Sequence, residues 1–127
     1  MSLHGSRKLR VLVADDDRDL TLTLMMLLKS EGHEVRGVHH GVDVLEAVAD
    51  FSPDALLLDI GLPLVSGYDI ARSLRDRYGS ARPLIVAITG RNRPEDKHMA
   101  ELAGFDHHFA KPFEPQALLA TLDSLLR

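Results

Sequence analysis

The sequence predicts an α/β domain in which five parallel strands form a sheet between two layers of helices. Short runs of almost wholly apolar residues recur at 11–14, 55–58 and 84–88. Such runs are typical of parallel strands that are buried on both faces. Segments with the apolar spacing of amphipathic helices separate them, so strands and helices alternate. This alternation predicts a three-layer sandwich with right-handed crossovers.

The elements follow in chain order, and turn-forming residues separate them. We place them approximately at strands 9–14, 34–38, 55–59, 84–88 and 106–110 and helices 17–30, 42–51, 68–78, 94–103 and 115–126. Gly32 ends the first helix as a left-handed cap, and Gly104 ends the fourth. Pro53 stops the second helix, and Pro83 leads into strand four.

The helices differ in how strongly apolar residues line one face. Helices one and five carry leucine stripes at Leu20, Leu24, Leu27 and Leu28 and at Leu118, Leu119, Leu122, Leu125 and Leu126. Helix four has only Met99 and Leu102 as large apolar residues, which predicts a mobile element. We expect the Met25–Met26 pair to pack in the core and His39–His40 to lie in a solvated loop.

The apolar character of the strands also predicts their order. Strands one, three and four are the most apolar and belong in the middle, whereas the mixed strands two and five belong at the edges. This fits the 2-1-3-4-5 order of a doubly wound, flavodoxin-like fold. Strands one and three are then neighbours. Asp15 and Asp16 end the first and Asp59 ends the third, so the three carboxylates should converge at one edge of the sheet.

Composition limits the function classes. The chain has 127 residues, enough for one domain, and a formal net charge of −4 that gives no reason to expect direct nucleic-acid binding or docking on anionic membranes. The absence of cysteine excludes disulfides, thiolate chemistry and cysteine-based metal sites. No apolar run is long enough for membrane insertion and no signal peptide is visible, so we expect a cytoplasmic protein. Residues 1–7 are predicted to be a disordered leader or a vector remnant, and residues 8–127 the domain.

Three converging carboxylates favour a bound cation. Carboxylates about 4 Å apart repel each other by about 4 kcal/mol at an effective dielectric constant near 20. An all-oxygen site suits Mg²⁺, with Mn²⁺ as an alternative. Surface aspartates also commonly cap helices, and we expect that simpler role for Asp17.

Lys111 and Thr89 also stand at strand ends, after strands five and four. Their ammonium and hydroxyl groups, together with a cation, could stabilise an anionic group that arrives on a carboxylate. Carboxylates can accept phosphoryl groups as aspartyl phosphates. Asp59 is therefore the candidate nucleophile.

These motifs, taken together, resemble the receiver domains of bacterial two-component response regulators and hybrid histidine kinases. They are VLVADDD at 11–17, LLDIGLP at 57–63, GY at 67–68, ITG at 88–90 and KPF at 111–113. Each is unremarkable alone, but their order at successive strand ends is specific, and the likeness covers about 8–126. The stretch GFDHHF at 104–109 is similar to receivers that are attached to hybrid kinases.

The resemblance implies the chemistry of the acidic site. Asp59 would be the phosphoacceptor, supplied by the phosphohistidine of a histidine kinase or its phosphotransfer domain, or by a small donor such as acetyl phosphate. Asp16 would bind Mg²⁺ directly and Asp15 would act more through water. Gly61 would offer its backbone carbonyl to the metal.

The resemblance also implies how the signal is read. Thr89 would be the switch hydroxyl and Lys111 the ion-pairing lysine, with Lys111–Pro112 a candidate cis peptide. Phosphorylation would change the surface of helix four, strand five and helix five, which could also join two copies in a homodimer.

Two positions depart from the family's commonest pattern. His108 stands where many relatives have Tyr or Phe. It either moves inward together with Thr89 and reports phosphorylation, or is an exposed edge-strand histidine without a switching role. Gly90 leaves room beside the phosphoryl site but loosens the backbone. Because Gly61 has no side chain to align a water molecule, we predict a moderately persistent phosphoryl group.

The leading interpretation is a signalling module rather than an enzyme, and two alternatives come from other classes. A flavodoxin-like small-ligand binder is disfavoured because strand one ends in acids, where a phosphate-binding loop needs hydroxyl and glycine donors. A phosphatase with an aspartyl nucleophile is disfavoured because no second acid follows Asp59 two residues later. The domain could be a stand-alone regulator or part of a longer regulator or hybrid kinase.

Overall fold

The computed structural model describes residues 8–90 and 94–125. The predicted leader lies outside these residues. The strands are β1 (Arg10–Ala14), β2 (Glu34–Val38), β3 (Ala55–Asp59), β4 (Leu84–Thr89) and β5 (His107–Ala110), and the helices are α1 (Arg18–Ser30), α2 (Val44–Phe51), α3 (Gly67–Tyr78), α4 (Pro94–Ala103) and α5 (Pro115–Leu125).

All five strands form one parallel sheet in the order β2-β1-β3-β4-β5. The predicted fold class and strand order are therefore confirmed. Strands β3 and β4 are buried at every position, whereas β2 and β5 are only partly buried because they are the edges of the sheet.

The two faces of the sheet each carry a separate half of the core. Leu12, Leu56 and Leu58 point to the side covered by α2, α3 and α4. Val13 and Leu57 point to the side covered by α1 and α5. Side chains alternate between faces along a strand, so apolar residues at successive positions fill both halves. This explains why these strands read as continuous apolar runs.

Three helices begin at residues other than those expected. Helix α1 begins at Arg18 rather than Asp17, because Asp17 is its N-cap. A 3₁₀ turn at Gly41–Asp43 precedes α2, which begins at Val44 rather than Val42. Helix α3 begins one residue before the expected Tyr68, because the hydroxyl of Ser66 accepts the Tyr68 N–H at 3.2 Å and caps it.

Strand β5 begins one residue later than expected, at His107. Asp106, the expected first residue, instead accepts the N–H of Ile85 through its carboxylate at 2.8 Å. Helix α5 extends to Leu125, the last described residue. Its predicted end at Leu126 lies outside the described residues.

Helix α4 packs through small residues. Met99 and Leu102, its large apolar residues, are 41% and 68% exposed, whereas Ala100 and Ala103 are buried against the sheet side of the helix. The helix buries little large apolar area, as expected. Its predicted mobility stays a prediction.

Helix α1 packs closely on the edge strand β2. Leu24 and Leu28 are buried as expected, and a Cβ on Gly37 would lie 2.9 Å from Sδ of Met25. The expectation that both methionines pack in the core is wrong for Met26, which is 64% exposed. None of the helices in 8–90 and 94–125 has the length and apolar character needed to span a membrane.

Candidate functional site

Three carboxylates meet at the carboxyl ends of β1 and β3. These strands are paired, with Ala14 opposite Leu58, so the residues that follow them lie side by side. Asp15, Asp16 and Asp59 each have a carboxylate oxygen within 4.8 Å of the others. Asp15 and Asp59 are buried, whereas Asp16 is exposed. The predicted convergence is present.

Lys111 reaches this cluster from the segment between β5 and α5. Its Nζ lies 2.8 Å from Oδ2 of Asp15 and 3.5 Å from Oδ2 of Asp59. The shorter contact lacks the direction of a hydrogen bond, so we treat it as a charge pair. Within the described part of the chain, Oδ2 of Asp15 is a buried carboxylate oxygen that accepts no well-directed hydrogen bond.

The other oxygen of each buried carboxylate holds the local backbone. Oδ1 of Asp15 accepts the N–H of Asp17 at 2.9 Å, and Oδ1 of Asp59 accepts the N–H of Gly61 at 2.9 Å. Both carboxylates therefore present Oδ2 toward Lys111. Asp17 caps α1 as predicted, because its side chain accepts the Leu20 N–H at 3.1 Å.

The charges in this cluster shift one another's protonation. Burial raises the pKa of Asp15, and the nearby negative charge of Asp59 raises it further, although Lys111 and the Asp17 N–H act in the opposite direction. Burial alone would lower the pKa of Lys111, but its contacts with Asp15 and Asp59 outweigh burial and raise that pKa. Lys111 is therefore a firmly protonated cation at neutral pH.

The donor set fits a hard divalent cation. It consists of three carboxylates at one edge of the sheet, one of which has a buried oxygen without a well-directed donor. Oxygen ligands of this kind suit Mg²⁺ or Mn²⁺. Lys111 offsets only one of the three negative charges.

Thr89 ends β4 beside the cluster and is buried. Its backbone carbonyl accepts the Lys111 N–H at 2.8 Å, which ties the two strand ends together. A Cβ on the neighbouring Gly90 would have no atom of the described residues within 4 Å. The Lys111–Pro112 peptide bond is cis.

His108 lies in β5 opposite Ala87 and is half-buried. It is therefore less exposed than the second alternative assumed, and both alternatives for its role stay predictions. Its Nε2 is buried and has no hydrogen-bond partner among the described residues. Burial lowers the pKa of His108 and the charge of Lys97 lowers it further, while Asp96 acts in the opposite direction. The switching role stays a prediction.

Sequence reasoning missed His39. It is half-buried rather than solvated, and its Nδ1 lies 3.1 Å from the backbone carbonyl oxygen of Asp15. His40 is exposed, as expected. The only signal in the sequence was position, because His39 is the first residue after the strand that pairs with β1.

The fold and the cluster together define a doubly wound α/β domain with an acidic site at its topological switch point. The chain belongs to the response regulator receiver domain family, whose sequence profile matches residues 11–123. It is therefore a receiver module of two-component signalling, as predicted.

Individual relatives agree with this assignment. The response regulator MprA of Mycobacterium ulcerans is 38% identical over 118 residues, which cover 93% of this chain and 50% of that protein. The chain thus spans about half the length of the curated relatives it matches. The chemotaxis response regulator CheY4 of Vibrio cholerae is 25% identical with a TM-score of 0.86, and the match covers 94% of this chain and 100% of that one.

A third relative was solved in a chemically activated form. The structure titled BeF3 Activated DrrB Receiver Domain is 26% identical with a TM-score of 0.85, covering 94% of this chain and 98% of that one. All three relatives are named as response regulators or receivers. The resemblance to hybrid-kinase receivers stays a prediction.

Proposed function

We propose that this domain accepts a phosphoryl group on Asp59 from the phosphohistidine of a histidine kinase or its phosphotransfer domain. The observation that carries the proposal is the position of Oδ2 of Asp59. It faces Lys111 at 3.5 Å, while Oδ1 is held by the Gly61 N–H. One oxygen is fixed and the other is presented to the site, as a positioned nucleophile requires.

The transfer is a displacement at phosphorus. Oδ2 of Asp59 forms the new O–P bond as the P–N bond of the donor breaks, and the electron pair of that bond stays with the imidazole nitrogen. The ammonium group of Lys111 stabilises negative charge on the phosphoryl oxygens. The hydroxyl of Thr89 donates one hydrogen bond to the arriving group.

Asp15, Asp16 and Asp59, with the backbone carbonyl of Gly61, would hold Mg²⁺ or Mn²⁺. When bound, such an ion supplies positive charge that neutralises the phosphoryl oxygens. Its presence is favoured by the charge of the site, since three carboxylates and one ammonium leave an excess of about two negative charges.

The signal leaves through α4, β5 and α5. Thr89 shifts toward the phosphoryl group, and His108, two strand positions earlier on the neighbouring β5, follows it. The exposed Met99 and Leu102 place apolar surface on α4, which suits contact with a second copy or an output partner. The cytoplasmic location and the attachment to a regulator or hybrid kinase belong to this proposal.

The decisive experiment is phosphorylation in vitro. The protein is incubated with acetyl phosphate and Mg²⁺ and its intact mass is measured. We expect the gain of one phosphoryl group, lost on chelation of Mg²⁺ and in Asp59→Asn. The matched control Asp50→Asn, whose carboxylate pairs with Arg36 at 2.7 Å outside the cluster, should be modified like the wild type. Modification of Asp59→Asn at the wild-type level would refute the proposal.

The DrrB receiver domain was solved in a BeF3-activated form, so beryllofluoride is a suitable stable mimic. Amide chemical shifts recorded with and without it, in the presence of Mg²⁺, test the output route. We expect the largest changes outside the acidic cluster on α4 and β5. Changes confined to α1 and α2 would contradict this route.

A further inference from the structure

His39 contacts the acidic site through the backbone. Its Nδ1 lies 3.1 Å from the carbonyl oxygen of Asp15. A carbonyl oxygen can only accept a hydrogen bond, so Nδ1 must carry the proton and donate it. The imidazole is half-buried at the end of β2, and its position is therefore set by packing as well as by this bond.

The imidazole continues the ladder between β1 and β2. Their paired residues end at Ala14 and Val38, and the N–H of Asp15 donates to the Val38 carbonyl at 3.1 Å. The next step of a parallel ladder would bring a main-chain N–H to the Asp15 carbonyl. The His39 ring lies at that oxygen instead. The last residue of β2 and the residue after it thus hold both backbone groups of Asp15: the Val38 carbonyl accepts its N–H, and the His39 ring donates to its carbonyl.

This contact matters most for Asp16. The carbonyl of Asp15 and the N–H and Cα of Asp16 belong to one planar peptide unit. A hydrogen bond that fixes the orientation of that carbonyl therefore also fixes the position of the Asp16 Cα. The Asp16 side chain is exposed and has no hydrogen bond or ion pair with any residue that the structure describes. Among the described residues, only the backbone therefore determines where the Asp16 side chain starts and which region its carboxylate can reach.

A second donor on the same carbonyl is weaker. Thr21 Oγ1 lies 3.3 Å from the Asp15 carbonyl and 2.9 Å from the Asp17 carbonyl. One hydroxyl has one proton, and the shorter contact is to Asp17. His39 is consequently the principal donor to the Asp15 carbonyl.

We propose that His39 is a positioning residue for the metal site, which orients the Asp15–Asp16 peptide so that the Asp16 carboxylate faces Asp15 and Asp59. This rests on the proposed function, in which the three carboxylates hold a divalent cation. The ring need not touch the ion. Its effect should appear as weaker metal binding when the donor is lost and as recovery when a different donor occupies the same position.

The test is Mn²⁺ affinity, measured from the free ion by electron paramagnetic resonance at one fixed, mildly alkaline pH. In His39→Asn the amide nitrogen occupies the position of Nδ1 and can donate, whereas in His39→Phe a ring of similar shape cannot. We expect His39→Phe to bind Mn²⁺ about three- to tenfold more weakly, in the range of lost supporting hydrogen bonds, and His39→Asn to bind within about twofold of wild type. The neighbouring His40→Phe, at an exposed histidine, is the matched control and should bind normally.

The variant Asp16→Asn distinguishes a failure of the metal site itself from a failure of the positioning role of His39. If Asp16→Asn loses Mn²⁺ but His39→Phe binds like wild type, or if His39→Asn is as weak as His39→Phe, the role of His39 is refuted and the metal site stands. If Asp16→Asn binds Mn²⁺ like wild type, the metal site itself is wrong and the inference fails with it. Thermal unfolding is recorded for each variant, and His39→Leu replaces His39→Phe if the latter does not fold.

Discussion

At the scale of single residues, the two buried carboxylates use their oxygens for different purposes. Oδ1 of Asp15 and of Asp59 accepts a backbone N–H two residues later, whereas Oδ2 of both faces Lys111. The sequence predicted that Asp15, Asp16, Asp59 and Lys111 meet, because strand ends converge. It could not predict which oxygen is free, since that depends on side-chain rotamers and on turns formed only in the folded chain.

His33 provides a pH-dependent contribution to stability away from the site. Its Nδ1 accepts the Leu9 N–H at 3.1 Å, which requires an unprotonated Nδ1. Burial lowers the pKa of His33, although Glu31 and Asp123 act in the opposite direction. The unfolded chain, with its histidine pKa near 6.5, therefore binds a proton before the folded chain does. Stability should fall as the pH drops below about 6.5.

We expect His33→Asn to reduce this dependence, because its amide oxygen can accept the same N–H without titrating. The measurement is the free energy of unfolding in urea across the range from neutral to mildly acidic pH. His108, whose pKa is also lowered, should account for part of the slope that remains. An unchanged slope in His33→Asn would show that His33 is not linked to folding.

At the scale of elements, the positions of the helices along the chain could be predicted, but the side of each helix that faces the core could not always be. Strands β2 and β3 and helix α4 have the predicted bounds because proline, glycine and apolar runs mark them locally. The wrong prediction for Met26 and the outward Met99 and Leu102 share another cause. A helix packs through the residues that let it approach the sheet, and at α4 these are Ala100 and Ala103. Which residues of a helix face the sheet depends on the shape of the sheet surface, and the spacing of apolar residues in the helix does not reveal that shape.

One side chain of α3 contacts the end of α4 and the segments that lead into β4 and β5. Arg75, near the end of α3, donates from Nε to the Gly104 carbonyl at 2.9 Å and from a guanidinium nitrogen to the Pro83 carbonyl at 2.8 Å. It also pairs with Asp106, and the Arg75 side chain is only 14% exposed. A planar guanidinium can make these contacts together, whereas a lysine cannot.

We expect Arg75→Ala to lower the free energy of unfolding by about 2–4 kcal/mol, because two partly buried carbonyls and the Asp106 carboxylate lose this donor. Arg75→Lys should recover less than half of this loss. Urea unfolding measures both variants. Arg72→Ala removes a neighbouring arginine whose pair with Asp69 is exposed, so it should cost under about 0.5 kcal/mol. Equal losses in Arg75→Ala and Arg72→Ala would contradict this role.

At the scale of the whole molecule, the topology places like charges together, so that a cation bound between them would favour the folded chain. Asp15 and Asp16 directly follow β1 and Asp59 ends β3, more than 40 positions later in the chain. The unfolded chain therefore offers no comparable site. A ligand that binds only the folded state stabilises it in proportion to the logarithm of its concentration above Kd.

Mg²⁺ should therefore raise the midpoint of thermal unfolding, and Asp16→Asn should separate repulsion from binding. Asp16 is exposed, and the ion pairs of Lys111 in the described part of the chain are with Asp15 and Asp59. In the metal-free protein the charge of Asp16 therefore only adds repulsion between the carboxylates. We expect Asp16→Asn to melt at a slightly higher temperature than wild type without Mg²⁺ and to gain little when Mg²⁺ is added. Asp76→Asn, an exposed aspartate on α3, should respond to Mg²⁺ like wild type. Differential scanning calorimetry over a Mg²⁺ series at constant ionic strength makes the comparison, because added salt alone screens exposed charges. If Asp16→Asn and wild type gain the same stability from Mg²⁺, the ion binds elsewhere, and the convergence of β1 and β3 has no part in its recognition.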